Sequence, residues 1–187
     1  MMKLILDKIA RDTENKVGFK LILLFIPVAY VSFLFHEFGH WIVGEILGNN
    51  MVYSLNYVWP KSGQYINITN DLYVSIGGPA FTIILSIIFL LIIEKYKTIY
   101  AYPFVIFQFS SRFFSLVFGG FSNQDESKIS ASLGINCYIV ALIVLILLLL
   151  IAWRGSYKLR LNFKSNWYLF TICILCQLLV IETYKLI

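Results

Sequence analysis

Charge is scarce in this sequence. Only 13% of its 187 residues are Asp, Glu, Lys or Arg, against 59% hydrophobic, and the mean hydropathy is +0.79. A soluble domain of this length is excluded by that balance. The formal net charge of +5 calls for no nucleic acid, because the basic residues fall in loops beside apolar runs. Cysteine is rare as well, with three residues. Cys173 and Cys176 have CxxC spacing but lie inside an apolar run without a second pair, so neither a disulfide framework nor a thiolate site is expected. No internal repeat is visible, which argues against an inverted-repeat transporter. No small-residue cleavage site follows the charged start, so a cleavable signal is not expected.

What remains is a polytopic helical membrane protein. Five spans are expected, over about 19–47, 71–94, 99–118, 129–153 and 167–186. Each is long enough for a hydrocarbon layer of roughly 30 Å at about 1.5 Å per residue. The reading is of one membrane-embedded domain over 1–187, all-α apart from one short β-hairpin between the first two spans. Residues 1–17 place Leu4, Ile5, Leu6 and Ile9 among charges, the pattern of an interfacial segment. The Ile-, Lys- and Asn-rich composition suggests a prokaryotic cell membrane.

Residues 51–69, MVYSLNYVWPKSGQYINIT, are too polar to span. Tyr53, Leu55, Tyr57 and Trp59 alternate with Ser54, Asn56 and Val58. PKSG then offers a turn and Tyr65 to Thr69 a return strand, so a hairpin at the membrane surface is expected. An aromatic interfacial loop is the plainer alternative.

The chain has two histidines, and both lie in FHEFGHW, residues 35–41, inside the first span. His36 and His40 share one helical face and can grip one metal ion. Glu37 reaches the position of a water on that ion, completing HExxH with two imidazole ligands and a general base. Zinc lowers the water's pKa towards neutrality, and Glu37 takes its proton as it attacks a carbonyl. An ionisable residue within a span costs roughly 2.5–3.5 kcal/mol on insertion scales, which weighs against an accidental cluster of three.

A third ligand must then be an acid or a cysteine. His40 lies roughly 10 Å below one end of its span, and Asp71, Asp125 and Glu126 lie on that same side. Glu45 is turned about 140° from His40 and is a poor ligand. Asp125, in FSNQDESKIS where the fourth span is expected to begin, is preferred by position, narrowly over Asp71 and Glu126. Asp125 and Asp71 also read as ordinary acids at helix starts.

In the second span, SIGGPAF places Gly77, Gly78 and Pro79 at the depth of the histidines. The break would let another backbone approach and turn carbonyls to a polar cavity. A packing notch is the alternative. Arg112, in the third span, reads first as a structural ion pair or a group reaching for the interface, and second as a partner for a site carboxylate or an oxyanion.

These motifs resemble the site-2 protease family of intramembrane zinc metalloproteases. The likeness rests on HEFGH within a span, GGP opening a later span, and an acid-bearing segment before a further one, over residues 36 to about 130. The length and early HExxH are most similar to small members without a PDZ domain. The resemblance implies Zn2+ held by His36, His40 and Asp125, with Glu37 as catalytic base. It also implies a membrane-protein or peptide substrate in extended form, aligned by a strand such as the 51–69 hairpin could supply. Two positions depart from the family pattern. Thr82 stands where asparagine is common, three residues after the proline, and Asp125 is followed by Glu126 rather than glycine.

The positive-inside rule sets Lys3, Lys8, Arg11, Lys16, Lys20, Lys95, Lys97, Arg154, Lys158, Arg160 and Lys164 against Lys61, Lys128 and Lys185. It puts the N-terminus in the cytoplasm and the site towards the outside, whereas family sites lie nearer the cytoplasm. Two functional readings follow. One is a metalloprotease cutting peptide bonds in or beside membrane spans. The other is a catalytically inactive, protease-like protein that binds helices or carries metal.

Overall fold

The computed structural model describes residues 17–186. Apart from Val17, the expected interfacial segment over 1–17 lies outside them. Among the described residues, six α-helices and one two-stranded hairpin make up the fold. Helix α1 spans Phe19–Ile46, strands β1 and β2 span Met51–Tyr53 and Val58–Pro60, and α2 spans Thr69–Tyr96. A 3-10 turn, Ile99–Ala101, leads into α3, Tyr102–Gly119. A second, Phe121–Asn123, leads into α4, Asp125–Ser132, before α5, Tyr138–Leu159, and α6, Phe163–Lys185.

Five of the helices, all but α4, are long and apolar enough to cross a membrane, α3 together with its leading 3-10 turn. This is a multi-pass helical membrane architecture. A helix satisfies its own backbone donors and acceptors, which an apolar medium requires.

Boundaries follow local chemistry. Pro103 occupies the first turn of α3, where its missing N–H removes nothing. The Asn162 side chain caps α6 by accepting from the Ser165 N–H at 2.8 Å. The fourth span begins later than hydropathy suggests. Residues 125–132 form their own short helix, and Gly134, at φ +67°, turns the chain before α5. Three serines and three charges in FSNQDESKIS make that stretch too polar to extend a span. As a result, Arg154 and Lys158 belong to α5 rather than to a loop.

The core lies among α1, α3, α5 and α6, with Phe25, Val105, Phe107, Ala152, Leu169 and Val180 buried. Lipid tails are as apolar as these side chains, so association rests on close packing and interhelical hydrogen bonds, the latter averaging roughly 0.6 kcal/mol each. Phe89 and Phe104 stack with centroids 3.8 Å apart. Tyr30 pairs with Thr183 at 2.6 Å, Tyr102 donates to Asn166 at 2.6 Å, and Gln108 donates to Ser32 at 2.7 Å.

The hairpin is present, with a different turn from the expected one. Its antiparallel register pairs Met51 with Pro60, Val52 with Trp59 and Tyr53 with Val58. The chain reverses across Ser54–Tyr57, where the Ser54 N–H and hydroxyl both donate to the Tyr57 carbonyl, at 3.0 and 2.8 Å. Serine and asparagine here supply turn chemistry, while Pro60 lacks the N–H to continue a ladder. PKSG does form a turn, with Gly63 N–H to the Pro60 carbonyl at 2.9 Å, but it leads away from the hairpin. Residues 65–69 carry no strand; the Ile66 N–H goes to the Asn49 side chain at 2.9 Å. The hairpin is tied to α1 by Met51 N–H to Glu45, 2.6 Å, and by the Tyr53 hydroxyl to the Leu34 carbonyl, 2.7 Å. Glu45, set aside as a ligand by its helical angle, is therefore a tether.

Candidate metal centre

One turn of α1 separates His36 from His40, so their imidazoles project to the same side. Their ring planes stand 87° apart, and the two Nε2 atoms approach to 3.2 Å. Asp125, at the first position of α4, completes the group. Its Oδ2 lies 3.2 Å from His36 Nε2 and 3.3 Å from His40 Nε2. These three residues could hold a metal ion, since their donor atoms all lie within 4.8 Å of one another.

Hydrogen bonds behind the rings settle which nitrogens face the centre. His40 Nδ1 lies 2.6 Å from the Val74 carbonyl oxygen, which can only accept. His36 Nδ1 lies 2.9 Å from Thr82 Oγ1. Where Nδ1 of each ring carries the proton, both Nε2 lone pairs face the Asp125 oxygen; where Nε2 carries it, the ring donates to that oxygen. In the first arrangement three lone pairs meet at 3.2–3.3 Å and repel one another unless a metal ion or a proton lies between them. Outer partners of this kind fix ring orientation in metal sites.

The GGP segment proves to be both a packing notch and a site wall. A Cβ on Gly77 would strike the Gly39 carbonyl oxygen, and one on Gly39 would strike Gly77. Next to them, a Cβ on Gly78 would collide with His40 Nε2 and come within 2.6 Å of His36 Cε1. Helix α2 runs unbroken through Pro79. Proline leaves the Ser75 carbonyl without its helical donor, and the carbonyl before it, Val74, serves His40. Ser75 lines the cavity beside the triad.

That cavity has a volume of about 300 Å³. His36, Glu37, His40 and Asp125 line one part of it; Gln108, Ser111 and Arg112 of α3 line another; Asn56, Tyr57 and Val58 of the hairpin border it. Glu37 is 8% exposed, so a buried acid lies at the cavity that holds the ligand group. Burial alone would raise the Asp125 carboxyl, but the His36 and His40 rings hold it well below the usual carboxylate range. It is thus anionic at neutral pH, as a ligand must be. Burial, reinforced by the Asp71 carboxylate, pushes the Tyr65 hydroxyl up to about 12. Tyr65, another lining residue, is therefore a proton-bearing donor.

Among the acids weighed for the third ligand, the structure brings Asp125 to the histidines. Asp71 sits in the first turn of α2 and is no member of the group. Glu126 points elsewhere: it is fully buried and faces Arg112, with Nε to Oε1 at 3.1 Å and Nη1 to Oε2 at 3.3 Å. Arg112 is thus in an ion pair, the first of its two expected roles. Sequence reasoning misses the Val74 carbonyl, Ser32, Gln108 and Tyr65 as members of the cavity. Backbone acceptors and uncharged polar groups carry no spacing signal.

Comparison of the chain with protein-family models, with curated proteins and with solved structures finds no match in any of the three.

Proposed function

We propose that this chain is an intramembrane zinc metalloprotease that hydrolyses peptide bonds in or beside membrane-spanning segments, as its resemblance to site-2 proteases implies. One observation carries the reading: two imidazole nitrogens and a carboxylate oxygen, from helices far apart in sequence, converge within 3.2–3.3 Å beside a buried glutamate. A tetrahedral zinc with bonds of roughly 2.0–2.2 Å would set its ligand atoms about 3.3–3.6 Å apart, close to these separations. Nitrogen and oxygen donors suit zinc, and three protein ligands leave a position open for reaction.

Bound zinc supplies Lewis acidity and brings the pKa of a water near 7. The remaining work falls to the chain. Glu37 accepts the proton of the attacking water and returns it to the leaving amine. The polar cavity admits water within a membrane protein. An extended peptide lying beside Val58 of β2 would pair its backbone with the strand and bring a carbonyl past Glu37. Extension matters because a helix shields its peptide bonds.

The test compares wild type, Glu37→Gln and His36→Ala in proteoliposomes holding a panel of single-span peptides. Zinc content is measured alongside cleavage. Glu37→Gln is expected to keep zinc and lose cleavage by about 10²-fold or more, and His36→Ala to lose both. Cleavage by Glu37→Gln at the wild-type rate overturns the mechanism. Zinc-loaded wild type that cuts no peptide, with cellular function surviving in Glu37→Gln, favours the non-enzymatic, helix-binding reading.

A further inference from the structure

We infer that Arg112 and Glu126 are a positioning pair for the third metal ligand: α3 holds both chain neighbours of Asp125 and so fixes the carboxylate that completes the site. The inference rests on the metal-centre reading above and adds a role for residues outside the ligand set.

Asp125 needs outside support. It opens an eight-residue helix preceded by a 3-10 turn, and the residue before it, Gln124, makes no side-chain cap. Backbone at a helix start lacks intrahelical partners for its first N–H groups, so α4 alone does little to place its first side chain. The histidines are anchored in the middle of a 28-residue helix; Asp125 opens a short one that packs against α2 and α5.

Helix α3 adds a side-chain hold on both sides of the ligand. After Asp125, the Glu126 side chain is 0% exposed; its Oε2 accepts from Arg112 Nη1 at 3.3 Å, and its Oε1 lies 3.1 Å from Arg112 Nε as an ion pair without a hydrogen bond. Before Asp125, the Gln124 amide donates to the Ser115 carbonyl at 3.2 Å and to the Gly120 carbonyl at 3.3 Å. Its Oε1 accepts from Arg112 Nη1 at 3.4 Å. Arg112 therefore touches the residues on either side of the ligand. Successive helical side chains diverge by roughly 100°, so Glu126 can face α3 while Asp125 faces α1.

The chemistry favours this role over simple stabilisation. A buried ion pair is often no more stable than an apolar pair of similar volume, which makes it a weak choice for packing alone. The Arg112 charge and its Nη1 hydrogen bond give the Glu126 carboxylate a direction. The pair is also neutral as a whole, so it leaves the charge balance of the ligand group unchanged. The departure from a small residue after the aspartate thus has a physical counterpart in Arg112.

The experiment uses the full chain in detergent with Arg112→Met and Glu126→Leu combined, because removing one partner alone strands a buried charge. Zinc affinity is read by chelator competition, the ligand field by the visible spectrum of bound Co2+, and α4 by amide exchange in metal-free protein. The expected result is a folded variant binding zinc about 10-fold more weakly, with an altered cobalt spectrum and faster exchange confined to 125–132. Wild-type zinc affinity and an unchanged cobalt spectrum in the folded variant overturn the proposal. If wild type binds neither metal, the metal-centre reading fails, and exchange decides the rest. Faster exchange at 125–132 then upholds the hold of α3 on α4, and unchanged exchange overturns it. Should the double variant not fold, Arg112→Lys keeps the charge, loses the Nη1 contacts to Gln124 and Glu126, and is read in the same ways.

Discussion

The carbonyl oxygen of Gly77 occupies the space a Cβ on Gly39 would need, and the Gly39 carbonyl blocks Gly77 in the same way. At this crossing α1 and α2 meet backbone to backbone, which brings His40 within reach of Val74. Neither glycine is needed for an unusual dihedral; both are needed for absence of bulk.

Gly39→Ala or Gly77→Ala should therefore push the helices apart. Overpacking of this kind costs about 1–3 kcal/mol. The check is thermal unfolding in detergent, where each variant should melt below wild type, with zinc bound more weakly because the His40–Val74 contact stretches. An unchanged melting temperature would show that the crossing tolerates a methyl group.

Gly78→Ala separates the site from the fold. Its new methyl would meet the flexible ends of the His40 and His36 rings rather than backbone. The rings can swing away, so the melting temperature of the metal-free variant should stay near wild type while zinc binding is lost. Equilibrium dialysis against a zinc buffer reads the second quantity. Zinc retained at wild-type affinity would mean that the ligands meet elsewhere.

Much of this centre is legible in the amino-acid sequence. Hydropathy marks the spans, since each is a long apolar run, and the i, i+4 spacing puts His36 and His40 on one face. Three features are not legible there. The third member of the group lies 89 residues from His36, and the sequence expects Asp71, Asp125 and Glu126 on one side of the spans, so position barely separates them. Helix α4 is short and polar, and periodicity carries little weight over eight residues. The Arg112–Glu126 pair joins a span to a loop helix, a contact that no local pattern announces. In the hairpin, the alternation of Tyr53 to Trp59 hides the turn at Ser54–Tyr57, because Leu55 and Tyr57 look as much like strand as turn.

Thr82 carries the sharper of the two departures from the family pattern. Its hydroxyl lies 2.9 Å from His36 Nδ1, and the residue is 4% exposed. Thr82→Val keeps the shape, removes the oxygen and leaves the half-buried His36 Nδ1 without its hydroxyl partner. Loss of such an outer partner weakens metal binding by roughly 10- to 100-fold. Thr82→Ser should hold wild-type affinity, because it keeps the hydroxyl. If Thr82→Val binds zinc like wild type, the His36 ring is oriented by other contacts.

Asp125→Ala and Asp71→Ala, measured side by side, decide between the acids that position alone does not separate. Asp125 Oδ2 lies 3.2 and 3.3 Å from the two histidine nitrogens, whereas Asp71 is in the first turn of α2, where it favours the helix start by roughly 0.3–1 kcal/mol. Removing Asp125 takes away one of three ligands, so zinc affinity should fall by at least ~100-fold, the upper end of what losing an outer partner costs. Asp71→Ala should leave affinity unchanged and lower the melting temperature slightly. Zinc per chain after gel filtration gives the first comparison and thermal unfolding the second. The reverse pattern would move the third ligand to α2. Retention of zinc in both variants would leave two histidines and a group other than either acid, and the convergence of α4 on α1 would then have no role in holding metal.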